Sequence, residues 1–287
     1  MGAWAVVLTA ADERGLAEAE IAEAGARLRA PATRLGPASA EVLVDAAPAL
    51  GGLAEALDAV DVNAVPVAGR RKRLLIADMD STMIGVECID EMAARAGIGE
   101  AVAEITERAM AGALDFEGAL RARVRLVAGM SEAMLEGVMA DRIRLNPGAR
   151  VLVRTMAAAG AHTMLVSGGF TWFTERVAGL AGFAEHRANR LIFEDGRLSG
   201  AVAEPILGRE AKAQALAEGL ARHGLAPAEA LAVGDGANDL AMIRAAGLGV
   251  GFRPKPLLAA EAGAVIRHSG LDALLALQGY RAEAYAA

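Results

Sequence analysis

The sequence has a single cysteine, Cys88, so no internal disulfide can form. That is compatible with a reducing compartment, and the residue reads as a small packing side chain on a helix. The sequence also lacks any run of about 18 uninterrupted apolar residues, because Arg, Lys, Asp or Glu breaks each candidate well before that length. No membrane span is expected. The N-terminus lacks a basic flank: Met1-Gly2-Ala3-Trp4-Ala5-Val6-Val7-Leu8 is soon followed by Asp12-Glu13-Arg14, unlike a secretory signal. A cytoplasmic setting is the expectation. Nor is positive charge in excess, since the formal net charge is −7 with basic residues scattered among acidic ones. That argues against a surface that tracks nucleic-acid phosphates and leaves a small molecule as the expected ligand.

At 287 residues the chain exceeds a typical single domain, and its apolar residues are spread through many short segments, so two globular units are expected. Residues 1–70 read as strand Ala3–Leu8, helix Gly15–Leu28, strand Glu41–Asp45, helix Leu53–Leu57 and strand Val62–Val67. A weakly marked strand near Ala32–Arg34 would complete a βαββαβ unit. Gly69-Arg70-Arg71-Lys72-Arg73 forms a short basic joint. After it, Leu74-Leu75-Ile76-Ala77 is a continuous apolar run suited to a buried parallel strand, and the unit boundary falls here. Residues 84–146 are dominated by helical periodicity, with one stripe at Ile89, Met92, Ala93 and Ala96 and another at Phe116, Leu120, Val124 and Val127. This segment reads as a helical insertion. Beyond Pro147, strands at His162–Val166, Leu231–Val233 and Gly249–Phe252 alternate with helices in the rhythm of a parallel sheet. Asp195-Gly196 marks a hairpin.

The strongest chemical signal is Asp78-Met79-Asp80-Ser81-Thr82 at the carboxyl end of the run Leu74–Ala77, the end at which open α/β sheets bind ligands. Alternation directs the two carboxylates to similar sides, and hydroxyls and backbone N–H groups follow in the turn. Such a turn can hold both phosphate and metal, although Asp-x-Asp alone reads equally well as a polar turn after a core strand. It is not a calcium EF-hand, which would need Gly and Glu where Met83 and Ile89 stand. A second acidic turn, Gly234-Asp235-Gly236-Ala237-Asn238-Asp239, again follows an apolar strand and opens a helix. Two such strand ends side by side would make a pocket of hard oxygen ligands suited to Mg²⁺. Between them lie Ser167-Gly168-Gly169-Phe170 at another strand-to-helix junction and Lys212 near a helix start, both of which suit a phosphate. Lys212 taken singly reads as a solvated surface lysine.

In this order, the Asp78 turn, Ser167-Gly168-Gly169, Lys212 and the Gly234–Asp239 turn resemble the four motifs of the haloacid dehalogenase superfamily. Within it, Asp78–Glu87, the run Phe116–Val124 and Ser167–Phe170 look like the phosphoserine phosphatase family. The resemblance spans about residues 73–275. It implies an α/β fold: a doubly wound, Rossmann-like parallel-sheet core over residues 71–287, with a helical cap inserted at about 84–146. It also implies Mg²⁺-dependent hydrolysis of a small phosphoamino acid through an aspartyl-phosphate, in the context of serine synthesis. By the same likeness Asp78 is the nucleophile and Asp80 the acid/base. Asp78, the Asp80 backbone carbonyl and Asp235 are the Mg²⁺ ligands. Glu87 faces the substrate ammonium and Arg123 its carboxylate. Ser167, Gly168, Lys212 and Asn238 contact phosphate or substrate, with Ser81, Thr82, Phe116, Gly169 and Asp239 in support. Without the resemblance, Glu87 and Arg123 read as ordinary exposed helix charges.

Residues 1–70 resemble, more faintly, the small ferredoxin-like ACT-type domain, in which pairing between subunits and amino-acid binding recur. A homodimer and serine feedback are thereby implied, with a plain structural appendage as the alternative. Two rival functions remain: another phosphatase or phosphotransferase of the same superfamily, and a catalytically silent amino-acid-sensing module. A P-type pump is excluded by the missing membrane helices.

Overall fold

The structure is a computed structural model, and it describes residues 2–110, 113–208 and 210–286. The first third of the chain follows the order β1 (Trp4–Thr9), α1 (Glu18–Leu28), β2 (Ala32–Gly36), β3 (Ser39–Val44), α2 (Gly51–Ala56) and β4 (Asp61–Pro66). These strands form an antiparallel sheet in the order β2-β3-β1-β4. Period-two alternation divides β1 between two cores. Val6 and Leu8 pack with Ile21, Ala24 and Leu53, while Ala5 and Val7 join the main core of the molecule. The first helix starts at Glu18 instead of the expected Gly15, because Gly15 turns at φ +66° and Leu16 N–H donates to Pro37 O. Its entry is fixed at Ala17, whose N–H donates to the Glu20 carboxylate (2.8 Å), with acidic residues in the first turn suiting the helix dipole.

The second sheet starts with β5 (Leu74–Ala77). Four helices follow: α3 (Cys88–Ala96), α4 (Gly99–Met110), α5 (Phe116–Leu126) and α6 (Glu132–Arg142). Then come α7 (Ala149–Ala158), β6 (His162–Phe170), α8 (Thr171–Ala181), β7 (Glu185–Asn189) and the hairpin β8 (Leu191–Glu194) and β9 (Arg197–Val202). The chain closes with α9 (Ala211–His223), β10 (Ala230–Gly234), α10 (Leu240–Ala245), β11 (Leu248–Phe252), α11 (Pro256–Ala259), β12 (Ala264–Ile266) and α12 (Ala273–Leu277). The sheet order is β12-β11-β10-β5-β6-β7, with every pairing parallel. All four residues of β5 are buried, as a central strand covered on both faces requires. Leu74 and Ile76 pack toward α9 and α10, and Leu75 and Ala77 toward α7, α8 and α12.

The register positions the site. Ala77 pairs with Val233 on one side and Leu165 on the other, so the chain leaves β5, β10 and β6 at one edge of the sheet. The polar residues that follow each strand converge there. Strand β6 runs on to Phe170 instead of ending at Val166, because Phe170 pairs with Asn189 of β7. Among the described residues no helix is long and apolar enough to cross a membrane.

Candidate active site

Asp78 is the first residue past β5, and its N–H donates to Val233 O (3.0 Å), tying it to β10. Its Oδ1 accepts from Met79 N–H (2.8 Å) and lies 2.6 Å from Lys212 Nζ. Lys212 is 4% exposed, not the solvated lysine its neighbours in sequence suggest, because the second residue of α9 faces into the sheet edge. Its ammonium also donates to Asp239 Oδ1 (2.6 Å). Asp239 Oδ2 accepts from the backbone N–H groups of Asp235 and Gly236 (3.1 and 3.0 Å), so one carboxylate shapes the whole second turn. Gly234 is required for this closure: a Cβ there would lie 2.3 Å from Asp239 Cγ.

The chain after Asp78 folds through a tight turn. Ile84 N–H donates to Met79 O (3.0 Å), and Ser81 adopts φ +57°. That strained conformation directs the Ser81 hydroxyl to Glu87 Oε1 (2.8 Å). Asp80 is held from two sides, by Cys88 N–H at Oδ1 (2.8 Å) and by the Ser167 hydroxyl at Oδ2 (2.9 Å). The same Ser167 oxygen accepts from Gly169 N–H (2.8 Å), and a Cβ at Gly169 would come within 3.0 Å of both Asp80 Oδ2 and Ser167 Oγ. Asp80, Ser167 and Gly169 thus form one connected unit at the end of β6. Thr82 is buried behind it, and Asn146 Nδ2 donates to its carbonyl (2.7 Å).

These groups open into a cavity of about 300 Å³ between the sheet edge and helices α3 to α5. Asp78, Asp80, Glu87, Asp90, Asp235, Arg123 and Lys255 line it, with Ser167, Gly168, Asn238 and Phe116. Phe116 packs over Gly168, where a Cβ would sit 3.3 Å from Phe116 Cζ. Arg123 projects from α5, making one long hydrogen bond, to Ala119 O (3.4 Å). Among the described residues it has no carboxylate within 4.0 Å, which leaves its guanidinium for a ligand. Every residue singled out from the sequence therefore lies in or directly behind this cavity. Lys255 was missed, although it stands just past β11 at the same strand-end edge that drew attention to Asp78 and Asp235.

The carboxylates outnumber the cations, and the titration behaviour reflects it. Burial, reinforced by Asp239, raises the Asp78 carboxyl well above its ordinary value, with Lys212 opposing. Burial and then Asp80 push Glu87 up to about 7, and burial likewise raises Asp235. Lys212 is kept charged, since Asp78 and Asp239 outweigh its burial. Burial raises the Cys88 thiol and leaves it inert. A site with this excess of negative charge fits a cation. Carboxylate oxygens of Asp78, Asp235 and Asp239 all lie within 4.8 Å of one another, and the donors are hard oxygens, the set that divalent Mg²⁺ or Ca²⁺ takes. The third carboxylate of this group is Asp239, whereas the Asp80 carboxylate turns instead to Ser167 and Cys88.

The family described as haloacid dehalogenase-like hydrolase matches residues 75–244. The phosphoserine phosphatase of Streptomyces coelicolor is 44% identical over 227 residues, which is 78% of this chain but 55% of that protein's length. The phosphoserine phosphatase of a Polaromonas species is 44% identical over 210 residues, covering 71% of this chain and 89% of its own. Among solved structures, an unliganded probable phosphoserine phosphatase from Vibrio cholerae superposes with a TM-score of 0.80 at 31% identity, covering 96% of this chain and 86% of that one.

Proposed function

The chain belongs to the haloacid dehalogenase-like hydrolase family, and from that membership we propose that it is a phosphoserine phosphatase, hydrolysing O-phospho-L-serine to serine and phosphate. The observation that carries this reading is the pairing within one cavity of a phosphoryl-transfer end and an amino-acid end. At the first, Lys212 joins Asp78 and Asp239. At the second, Glu87 and Arg123 present one anion and one cation. Residues 1–70 form the proposed ACT-like unit and residues 71–287 the catalytic unit, with α3 to α6 as its cap. The βαββαβ order and the helical run support this division.

A phosphate monoester dianion repels an approaching carboxylate, so its charge must be offset before Asp78 can attack in line. Lys212 supplies part of that offset from its buried position. Asp78, Asp235 and the Asp80 backbone carbonyl would hold Mg²⁺, whose charge would neutralise phosphoryl oxygens and keep Asp78 ionised against its burial. The Asp78 carboxylate forms a bond to phosphorus as the ester P–O bond breaks, and Asp80 gives its proton to the departing serine oxygen. Water then attacks phosphorus while its bond to the Asp78 oxygen breaks, releasing phosphate and restoring the Asp78 carboxylate, and Asp80, ionised by the first step, takes a proton from that water. Ser167 keeps Asp80 directed at the leaving oxygen. On the cap side the Arg123 fork would bind the substrate carboxylate through two hydrogen bonds, a geometry lysine cannot reproduce, and ionised Glu87, held by the Ser81 hydroxyl, would bind the ammonium. Phe116 and Gly168 close the space around the serine methylene.

Phosphate release from a panel of phosphorylated small metabolites, with and without Mg²⁺, tests the reading. L-phosphoserine is expected to be turned over fastest and only with the divalent ion. A sugar phosphate in first place, or undiminished turnover in chelator, contradicts it.

A further inference from the structure

Beside the cavity stands a cation that the proposed reaction leaves unused. Lys255 follows β11 in the segment Arg253-Pro254-Lys255-Pro256, and its backbone N–H donates to Asp235 O (2.9 Å). The loop after β11 is thereby tied to the loop after β10. From this fixed backbone the side chain turns back over Asp235, placing Nζ 3.2 Å from Oδ2. The partners differ in burial: the Asp235 side chain is 8% exposed and that of Lys255 68%. A buried carboxylate is thus met by an ammonium reaching in from solvent. Lys212 pairs with Asp78 and Asp239, so among the described residues Lys255 is the one cation within 4.0 Å of Asp235. Both residues line the cavity, as does Glu87.

We propose that Lys255 is a positioning residue for the divalent cation, a tethered place-holder that neutralises Asp235 until the ion arrives and whose displacement sets the affinity of the site. The proposal rests on the metal-dependent reading above. Asp235 belongs to the group of converging carboxylates, and Lys212 pairs with only the other two, so without a cation of its own Asp235 would be pushed away from them. An ammonium and a divalent ion cannot both stay on Asp235 at close range, because like charges at that distance repel strongly even near a surface. The lysine end is the one able to leave. It is mostly solvated and its stem is flexible, so it can swing back into water while Asp235 stays in place. Anchoring by the backbone hydrogen bond keeps it close enough to return when the ion dissociates.

The test is calorimetric titration of the purified full chain with Mg²⁺, without substrate, comparing the native protein with Lys255→Met and Lys255→Arg, together with thermal unfolding in chelator and in saturating Mg²⁺. Lys255→Met is expected to bind Mg²⁺ about tenfold more tightly, since no tethered charge must be displaced. It should unfold at a lower temperature than the native chain in chelator and match it once Mg²⁺ is saturating. Lys255→Arg keeps the charge and should stay near the native affinity. Equal or weaker Mg²⁺ binding by Lys255→Met overturns the proposal while leaving the metal-dependent reading intact. A native chain that binds no Mg²⁺ overturns both.

Discussion

At the scale of single residues, the site is a balance of buried charges in which each cation has a definite place. Lys212 is the least replaceable of them. Its removal would leave the buried carboxylates of Asp78 and Asp239 without a cation, which for a buried pair costs about 3–5 kcal/mol. It would also withdraw charge from the transferring phosphoryl group. Lys212→Met is therefore expected to lower kcat by roughly 10²–10³-fold and to unfold at lower urea concentration, measured by steady-state assay and equilibrium denaturation. Wild-type kcat in a folded variant would refute the role. Glu87 carries a pH signature. Its folded value of about 7 lies above the ordinary 4.5, so the protonated form binds the fold better. Its stabilising contribution is full below about pH 4.5 and is lost as pH rises through about 7. Metal-free protein should lose stability to urea across that window, and Glu87→Gln should make the decline shallower. An unchanged slope in the variant would show that Glu87 is not the group responsible. Asp78, Asp80 and Asp235 were legible in the sequence because strand ends announce them. The burial of Lys212 was not, since nothing local distinguishes a lysine that meets two distant carboxylates from one in water.

At the scale of elements, the proposed function assigns substrate choice to the cap. Arg123 is carried by α5, whose start is secured by the Asp115 side chain accepting from Gly118 N–H (2.7 Å), an N-cap of the ordinary kind. The helix fixes where the guanidinium stands, and in the proposed reaction the core fixes where phosphorus would stand. Arg123→Ala should therefore reduce kcat/KM for phosphoserine by about 10²-fold, the loss of a bidentate charged contact. It should leave turnover of an aryl phosphate lacking a carboxylate nearly unchanged, and equal losses on both substrates would remove the specificity assignment. The helices of the cap and the strands of the core were readable because their apolar periods differ and each is several turns or several residues long. Two edge strands were not. The β7 sequence Glu185-His186-Arg187-Ala188-Asn189 has no apolar alternation, since at the edge of the sheet its first four residues are half-buried whichever way they point. At three residues, β12 is too short to show a period.

At the scale of the whole molecule, the N-terminal unit is part of the core's packing. Ala5, Val7, Leu35 and Val65 share one apolar cluster with Leu271 and the residues of α12, and the basic joint is packed as well. Lys72 Nζ donates to Gly69 O and Ala228 O (both 2.8 Å), and Arg70 pairs with Glu41 (2.6 Å). The order of elements in this unit could be read from turns and alternation, but its attachment could not, because it depends on polar side chains standing in for a sheet ladder. Asn63 exchanges two hydrogen bonds with the Val265 backbone (3.0 and 2.8 Å). Asp61, 5% exposed, accepts from the backbone N–H groups of Arg267, His268 and Ser269 and from the Ser269 hydroxyl. Asp61→Ala leaves those donors buried without an acceptor and is expected to destabilise the chain by about 3 kcal/mol, read as a shift in the urea midpoint. A shift indistinguishable from zero would mean that the two units are held by their apolar contact alone.

The catalytic roles proposed for Lys212, Asp80 and Arg123 turn on Asp78 forming a bond to phosphorus, and the most direct measurement is to look for that bond. The native chain, turning over phosphoserine labelled in its phosphoryl group with Mg²⁺ present, is quenched in acid and its peptides are mapped. The label is predicted on Asp78 and on no other residue, and absent altogether from Asp78→Asn. Label on a different side chain, or turnover by Asp78→Asn at the native rate, would contradict the account.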